Sequence, residues 1–474
     1  GFRAADDSLG AVINILVYTP CFSLISSLRF SQRLLVGLTL FSMFFGAGNL
    51  IFPPFLGVQA GVDMPAALAG FLVTAVGFPI LGVMAVAESG GLTALASRVN
   101  ARFAFLFTLL IYLSIGPCLA IPRTASTSFE MVMRPALESA GLLEASFGGF
   151  GALALAQFVY SVLFFLLAYF IALNPEKLTQ RLGKYLCPTL IALIFLLFAG
   201  ILFQPLGEAA APVAAYAHGA FATGFIEGYQ TMDTIAALNF GLVIAMNIRA
   251  FGVKSEGAVV KETVLAGAIA ACVFFAVYGA LAYIGAQAGG AYTGMENGAQ
   301  TLTLVASDLF GPVGTLLMGL IFFIACFNTC VGLISCCANY FSETFPVLGY
   351  RGWAKVFAFA SMVIANAGLT LILKFSVPLL VAIYPVAIVL IVLGLLSLAS
   401  KRLLTLKALY PAAVVATGIF SVLAGVEAFG VRVPGLSDFA DELPFAANGL
   451  EWIVPAFVGA VIGAGLSVSA ARRA

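Results

Sequence analysis

Residues 34–60 read LLVGLTLFSMFFGAGNLIFPPFLGVQA, an apolar run long enough to cross a bilayer but interrupted near its middle. Gly46, Ala47, Gly48 and Asn49 lie at the centre, and Pro53 and Pro54 follow. A second run, residues 221–247, carries GFIEGYQTMD at 224–233, with two acids, Glu227 and Asp233. Inside lipid, every backbone N–H and C=O released from a helix must find another partner. A break at membrane depth is therefore tolerated only against protein or a water-lined cavity. Two such breaks, in corresponding helices of two halves, point to the binding site of a secondary transporter.

The composition agrees with a membrane setting. Of 474 residues, 62% are hydrophobic and 9% charged, against about 25% charged in soluble domains. The net charge of +1 gives no reason to expect a nucleic-acid partner. Eight cysteines are present, most of them inside apolar runs, so no disulfide framework is expected. Cys326, Cys330 and Cys337 share one helical face of a run that also holds Cys336. A metal site there needs other ligands, and the sole histidine, His218, falls in a loop. These thiols are expected to be small packing residues. Residues 1–31 include an apolar stretch at 9–25 without a small-residue cleavage site. They are expected to be a peripheral segment, an extra span, or sequence upstream of the true start.

Runs of about 20 apolar residues predict twelve spans: 34–59, 66–87, 103–122, 150–172, 185–204, 221–247, 261–286, 312–340, 353–373, 376–398, 408–429 and 451–469. Basic residues test that count, because cytoplasmic loops collect Lys and Arg. With the N-terminus inside, inner segments hold 17 Lys and Arg, from Arg29 to Arg473. Outer segments hold 4: Arg123, Arg134, Lys374 and Arg432. Both ends are thus expected in the cytoplasm. No long polar segment suggests a separate soluble domain. The expected architecture is all-α: one transmembrane domain over 32–474, with repeat one about 32–204, repeat two about 221–398, and extra spans about 408–469. Span one starts inside and span six outside, which fits two five-helix halves of inverted topology.

Each break has its own chemistry. Gly46 and Gly48 weaken the helix and let a ligand approach the backbone. The prolines free carbonyls one turn earlier. The half-helix beyond the break offers N–H groups and a positive dipole end, suited to a carboxylate. Carbonyls of the preceding half-helix suit a cation, with Asn49 as an oxygen donor. In the second break, Thr231 and Asp233 offer oxygens to a cation or an ammonium. Alternatively, Asp233 or Glu227 carries a proton, since ionisable groups at membrane depth are functional by default. Span eight adds Asn328 and Thr329 at mid-span. In span three, Gly116, Pro117 and Pro122 loosen the helix near Tyr112 and Ser114.

Four stretches carry a specific resemblance: FFGAGNLIFPPFLG at 44–57, LSIGPCLAIPRTASTSFE at 113–130, GFIEGYQTMDTIAALNFG at 224–241 and CFNTCVGLISCCANYF at 326–341. From about residue 32 onward the chain resembles the bacterial branched-chain amino acid:cation symporters, the BrnQ-like family. The resemblance implies sodium-coupled uptake of leucine, isoleucine and valine across the cytoplasmic membrane by alternating access, with no cofactor beyond the coupling ion and no enzymatic activity. More distantly, the GxGN segment resembles the leucine-transporter fold. That likeness implies one cation held by Asn49 and Thr231, and a second by Ser42, Phe45, Ala325, Asn328 and Thr329. Asn328 stands where many relatives carry a hydroxyl residue, and Asp233 where the wider fold has a neutral one.

A zwitterion in a dry site needs both poles neutralised. The N–H groups of Ala47 and Gly48 are expected to take the carboxylate. Carbonyls near Phe44 and Gln230, with Asp233, are expected to take the ammonium. Phe44, Tyr112, Tyr229 and Met232 are available for the branched side chain. One methylene in such a pocket is worth only about 1–3 kcal/mol, so all three branched-chain amino acids are expected as substrates. A proton-coupled symporter of the same fold and an ion channel are the alternative readings. A channel wants a ring of polar residues along a pore, which two inverted breaks do not supply.

Overall fold

The computed structural model describes residues 27–142, 144–147, 150–174, 184, 187–213 and 215–473. The apolar stretch at 9–25 lies outside the described residues. Span one is divided into α1 (Phe30–Phe44) and α2 (Ala47–Ala60). They are joined by Phe45 and Gly46 in extended conformations. The helix runs on through Pro53 and Pro54, so the break lies ahead of the prolines. Span two comprises α3 (Met64–Leu72) and α4 (Phe78–Ser89), linked by a π-helical turn at Val73–Gly77. The short α5 (Leu92–Ser97) leads to span three, α6 (Ala101–Leu113) and α7 (Ala120–Val132). Between them Gly116 leaves helical geometry, at φ −85°, ψ −128°, next to Pro117 as its sequence suggested.

After α8 (Arg134–Ser139) and a pair of two-residue antiparallel strands (Ser146–Phe147 and Phe150–Gly151), spans four and five are α9 (Ala152–Ala172) and α10 (Cys187–Phe203). Span six is α11 (Ala215–Glu227) and α12 (Asp233–Ala250), separated by a 3₁₀ turn at Gly228–Thr231 and by Met232. Then come α13 (Glu256–Ala291), α14 (Gly298–Phe310), α15 (Pro312–Thr344), α16 (Gly349–Ala365), α17 (Leu369–Ala399), α18 (Leu409–Ala428), α19 (Leu436–Asp441) and α20 (Ile453–Arg473). Among the described residues, eight helices are long and apolar enough to cross a membrane by length and composition. Phe30–Phe44 and Cys187–Phe203 are shorter apolar helices.

The two largest departures from the expected boundaries are in spans three and nine. Span three extends past residue 122 to Val132, because α7 buries a polar face (Thr124, Ser126, Thr127 and Ser128) that hydropathy scores as loop. Span nine ends at Ala365, and α17 begins at Leu369.

Packing displays the inverted repeat directly. Span two lies along span six, α3 on α11 and α4 on α12. Span seven, α13, lies along both halves of span one. Span three packs on spans eight, nine and ten; span eight packs on spans three, four and five; and span four packs on span nine. Adding five to each member of the first repeat, and subtracting five from each of the second, maps this set of contacts onto itself. Glycines set the close approaches. A Cβ on Gly57 would strike the Ala282 carbonyl, and one on Gly285 the Pro54 carbonyl. In the partner interface, a Cβ on Gly70 would strike the Phe221 carbonyl, and one on Gly224 the Ala67 carbonyl. Small residues let membrane helices touch backbone to backbone, and dispersion then supplies the attraction that lipid cannot. Spans eleven and twelve sit outside this core: α18 packs on α17, and α20 on α18.

Candidate functional site

The two broken spans meet at their breaks. At the start of α2, the Gly46 N–H donates to Asn49 Oδ1 at 2.9 Å. The first helical bond runs from Leu50 N to the Gly46 carbonyl. Ala47 and Gly48 occupy the buried first turn of a helix, whose N–H groups have no intrahelical acceptor. Asn49 Nδ2 donates to Asp233 Oδ2 at 2.5 Å and to the Tyr278 hydroxyl at 2.5 Å. Tyr278 donates in turn to the same carboxylate oxygen at 3.4 Å. All three residues are buried. Asn49 thus links the breaks through its amide nitrogen, and its oxygen caps its own half-helix.

On the opposite chain segment, Thr231 Oγ1 donates to the Gly228 carbonyl at 2.9 Å and accepts from Asp233 N at 3.4 Å. Met232 turns the backbone with φ 67°, ψ 8°. A non-glycine residue in this left-handed region is uncommon and costs of order 1–3 kcal/mol.

The residue that sequence reasoning misplaced is Arg123. Counted with the outer loops, it lies instead on α7 with 4% exposure, against both breaks. Its Nη1 donates to the Gln230 carbonyl at 2.9 Å, and its Nη2 to the Thr231 carbonyl at 3.5 Å. A Cβ built on Gly48 would come within 2.9 Å of Nη2. The Gln230 carbonyl, expected to receive an ammonium, is therefore held by a guanidinium. Tyr278 was also missed. Its position in a long apolar helix gives no polar pattern to detect.

Phe44, Ala47, Gly48, Asn49, Thr231, Met232, Asp233 and Thr329 line one cavity together with Arg123. Ile115, Ala120, Ala236, Phe240 and Leu333 supply its apolar wall. Its volume is about 30 Å³, room for little more than a water molecule. Beside it, Asn328 Nδ2 donates to Ser42 Oγ at 3.2 Å. Asn328 Oδ1 and Thr329 Oγ1 are buried without a hydrogen-bond partner, and Thr329 Oγ1 faces Gly46. Phe45 and Ala325 are fully buried in the same layer.

Three expected residues stand elsewhere. Tyr112 stacks face to face on Tyr340, ring centroids 3.8 Å apart. Glu227 is half-buried at the end of α11 and does not line the cavity. Tyr229 stacks on Tyr384 at 4.5 Å and faces a separate cavity of about 250 Å³, shared with Glu427, Glu451 and Trp452. The side-chain oxygen of Gln230 is buried without a partner. Cys326, Cys330, Cys336 and Cys337 are buried free thiols.

Residues 30–469 match the family model described as branched-chain amino acid transport protein. The chain belongs to this family. It is 38% identical over 439 residues to the branched-chain amino acid permease BraB of Bacillus subtilis, covering 92% of this chain and 96% of that one. To the permease BrnQ of the same organism it is 39% identical over 441 residues, covering 92% and 97%. The branched-chain amino acid transport system 2 carrier protein of Pseudomonas aeruginosa is 37% identical over 431 residues, covering 90% and 94%. Among solved structures, the chain resembles Mhp1, a nucleobase-cation-symport-1 family transporter, in a closed conformation. The TM-score is 0.56 at 15% identity, covering 94% of this chain and 95% of that one. A manganese transporter of Eremococcus coleocola gives a TM-score of 0.54 at 13% identity, covering 91% and 95%. These likenesses establish a shared transporter fold. Members of the family are named as carriers and permeases, so this branched-chain amino acid transport protein is not an enzyme.

Proposed function

We propose that this protein is a sodium-coupled symporter that takes up leucine, isoleucine and valine across a bacterial cytoplasmic membrane by alternating access, with both termini in the cytoplasm. The observation that carries the reading is the meeting of two broken antiparallel spans, with unpartnered buried oxygens on span eight beside them. A hard cation such as sodium takes oxygen ligands. Ser42, Asn328 and Thr329 supply three, close to the carbonyl end of α1 at Phe45. The names of the relatives support the substrate class, and the apolar wall of Phe44, Ile115, Phe240 and Leu333 suits a branched side chain. The Lys- and Arg-rich face supports the orientation.

Coupling follows from shared preference. Sodium at the junction of α1, Gly46 and α15 favours the geometry that also binds the amino acid, and linkage makes that preference mutual. The cavity of about 30 Å³ has to widen before substrate enters, as alternating access requires. A second reading, proton coupling, is favoured by the burial of Asp233, 2% exposed in the cavity wall. Labelled-leucine uptake into proteoliposomes separates the two. Accumulation under an inward sodium gradient, competed by isoleucine and valine, is expected. Accumulation under a proton gradient alone transfers the coupling role to Asp233.

A further inference from the structure

We propose that Arg123 is the carboxylate anchor of the substrate site, setting the requirement for an amino acid rather than an amine. The proposal rests on the assignment of amino-acid transport above and adds a recognition element to it. Three observations carry it. First, Arg123 is 4% exposed at the centre of a membrane domain, yet it forms no ion pair within 4 Å of Asp233 or any other described acid. A buried guanidinium that lacks an anionic partner is costly, and its five N–H donors exceed the two carbonyl contacts it makes. Second, its Nη2 adjoins Gly48, in the buried first turn of α2, where the leading N–H groups have no intrahelical acceptor. A carboxylate seated there meets a planar fork of donors from Arg123 and the positive end of a helix together. Third, Asp233 lines the same cavity. The cavity thus presents a guanidinium and a carboxyl group together, matching the carboxylate and the ammonium of a zwitterion.

Arg123 also has a structural role, because it ties α7 to the carbonyls that end the 3₁₀ turn of span six. The test must separate the two. The measurement is competition against labelled leucine binding to the purified full chain, using leucine and L-leucinol, which keeps the ammonium and side chain but lacks the carboxylate. In the wild type, leucinol is expected to compete far more weakly than leucine. In Arg123→Ala, leucine affinity is expected to fall roughly tenfold to a hundredfold, with leucinol affinity unchanged or improved. Arg123→Lys keeps the charge without the fork and is expected to fall in between. Equal losses for leucine and leucinol in both variants would overturn the proposal and leave Arg123 a structural clamp. Wild-type protein that binds neither compound would overturn the substrate assignment itself. If Arg123→Ala does not fold, the ratio measured in Arg123→Lys decides: an unchanged leucine-to-leucinol ratio refutes the anchor.

Discussion

Asn49 of span one and Asp233 of span six, 184 residues apart, share a 2.5 Å hydrogen bond where both helices are broken. The contact fixes one break against the other, and Tyr278 of span seven closes the triangle. Whatever binds between the breaks acts on both repeats at once.

Asp233→Asn keeps the size of the side chain and removes the charge. Hydrogen bonds to charged groups contribute about 1.5–3 kcal/mol. Leucine affinity is therefore expected to fall roughly tenfold or more, measured by equilibrium binding to the purified variant. Thermal stability in detergent is expected to hold or rise, because an unneutralised buried carboxylate is expensive. Unaltered leucine affinity would remove Asp233 from the ammonium role.

Thr329→Val deletes an unpartnered buried hydroxyl at nearly constant volume. The sodium concentration for half-maximal uptake is expected to rise several-fold, and the leucine KM at saturating sodium to change little. Asn328→Ala is expected to act in the same direction, with an added loss from its bond to Ser42. A sodium dependence unchanged in both variants would place the cation elsewhere.

The apolar wall sets side-chain size. Ala236 faces the cavity from α12 and is 7% exposed. Ala236→Val narrows the pocket and is expected to shift the ratio of kcat/KM values from leucine towards valine, by roughly tenfold per excluded methylene. Competition uptake with the three amino acids in one membrane preparation measures the ratio directly.

Gly285 touches the Pro54 carbonyl across the interface of spans one and seven. Gly285→Ala puts a methyl group into backbone, and overpacking typically costs about 1–3 kcal/mol. A lower melting temperature in detergent is expected. The equivalent substitution at Gly279, on the same helix with open space around its Cβ position, is expected to be neutral and serves as the control.

The broken spans were legible because Gly46, Gly48 and the GYQT stretch interrupt strong apolar runs, and lipid permits such interruptions only where protein or a water-lined cavity covers them. Inverted topology followed from span parity and from the distribution of Lys and Arg. Arg123 escaped because the sequence IPRTASTSFE at 121–130 is polar on one face and follows a proline, the usual appearance of a span leaving the membrane. Its polar face is buried against protein instead. Thr124 Oγ1 donates to the Ile121 carbonyl, and Ser126 Oγ donates to carbonyls at Pro122 and Ala365. Hydropathy measures affinity for lipid, and α7 does not face lipid. Tyr112 and Tyr229 were placed in the pocket because they neighbour the breaks in sequence, but a helix turns successive side chains to different faces.

The crossed packing of spans two on six and seven on one also constrains how the protein is made. Met64–Ser89 emerges from the ribosome long before Ala215–Ala250, so span two waits in the bilayer with its small-residue face uncovered. Span one likewise lacks its cover until Glu256–Ala291 has been inserted. Each half is thus the template on which the other completes its packing. Two separately encoded halves would have to be synthesised together to assemble, much as the subunits of an obligate dimer do.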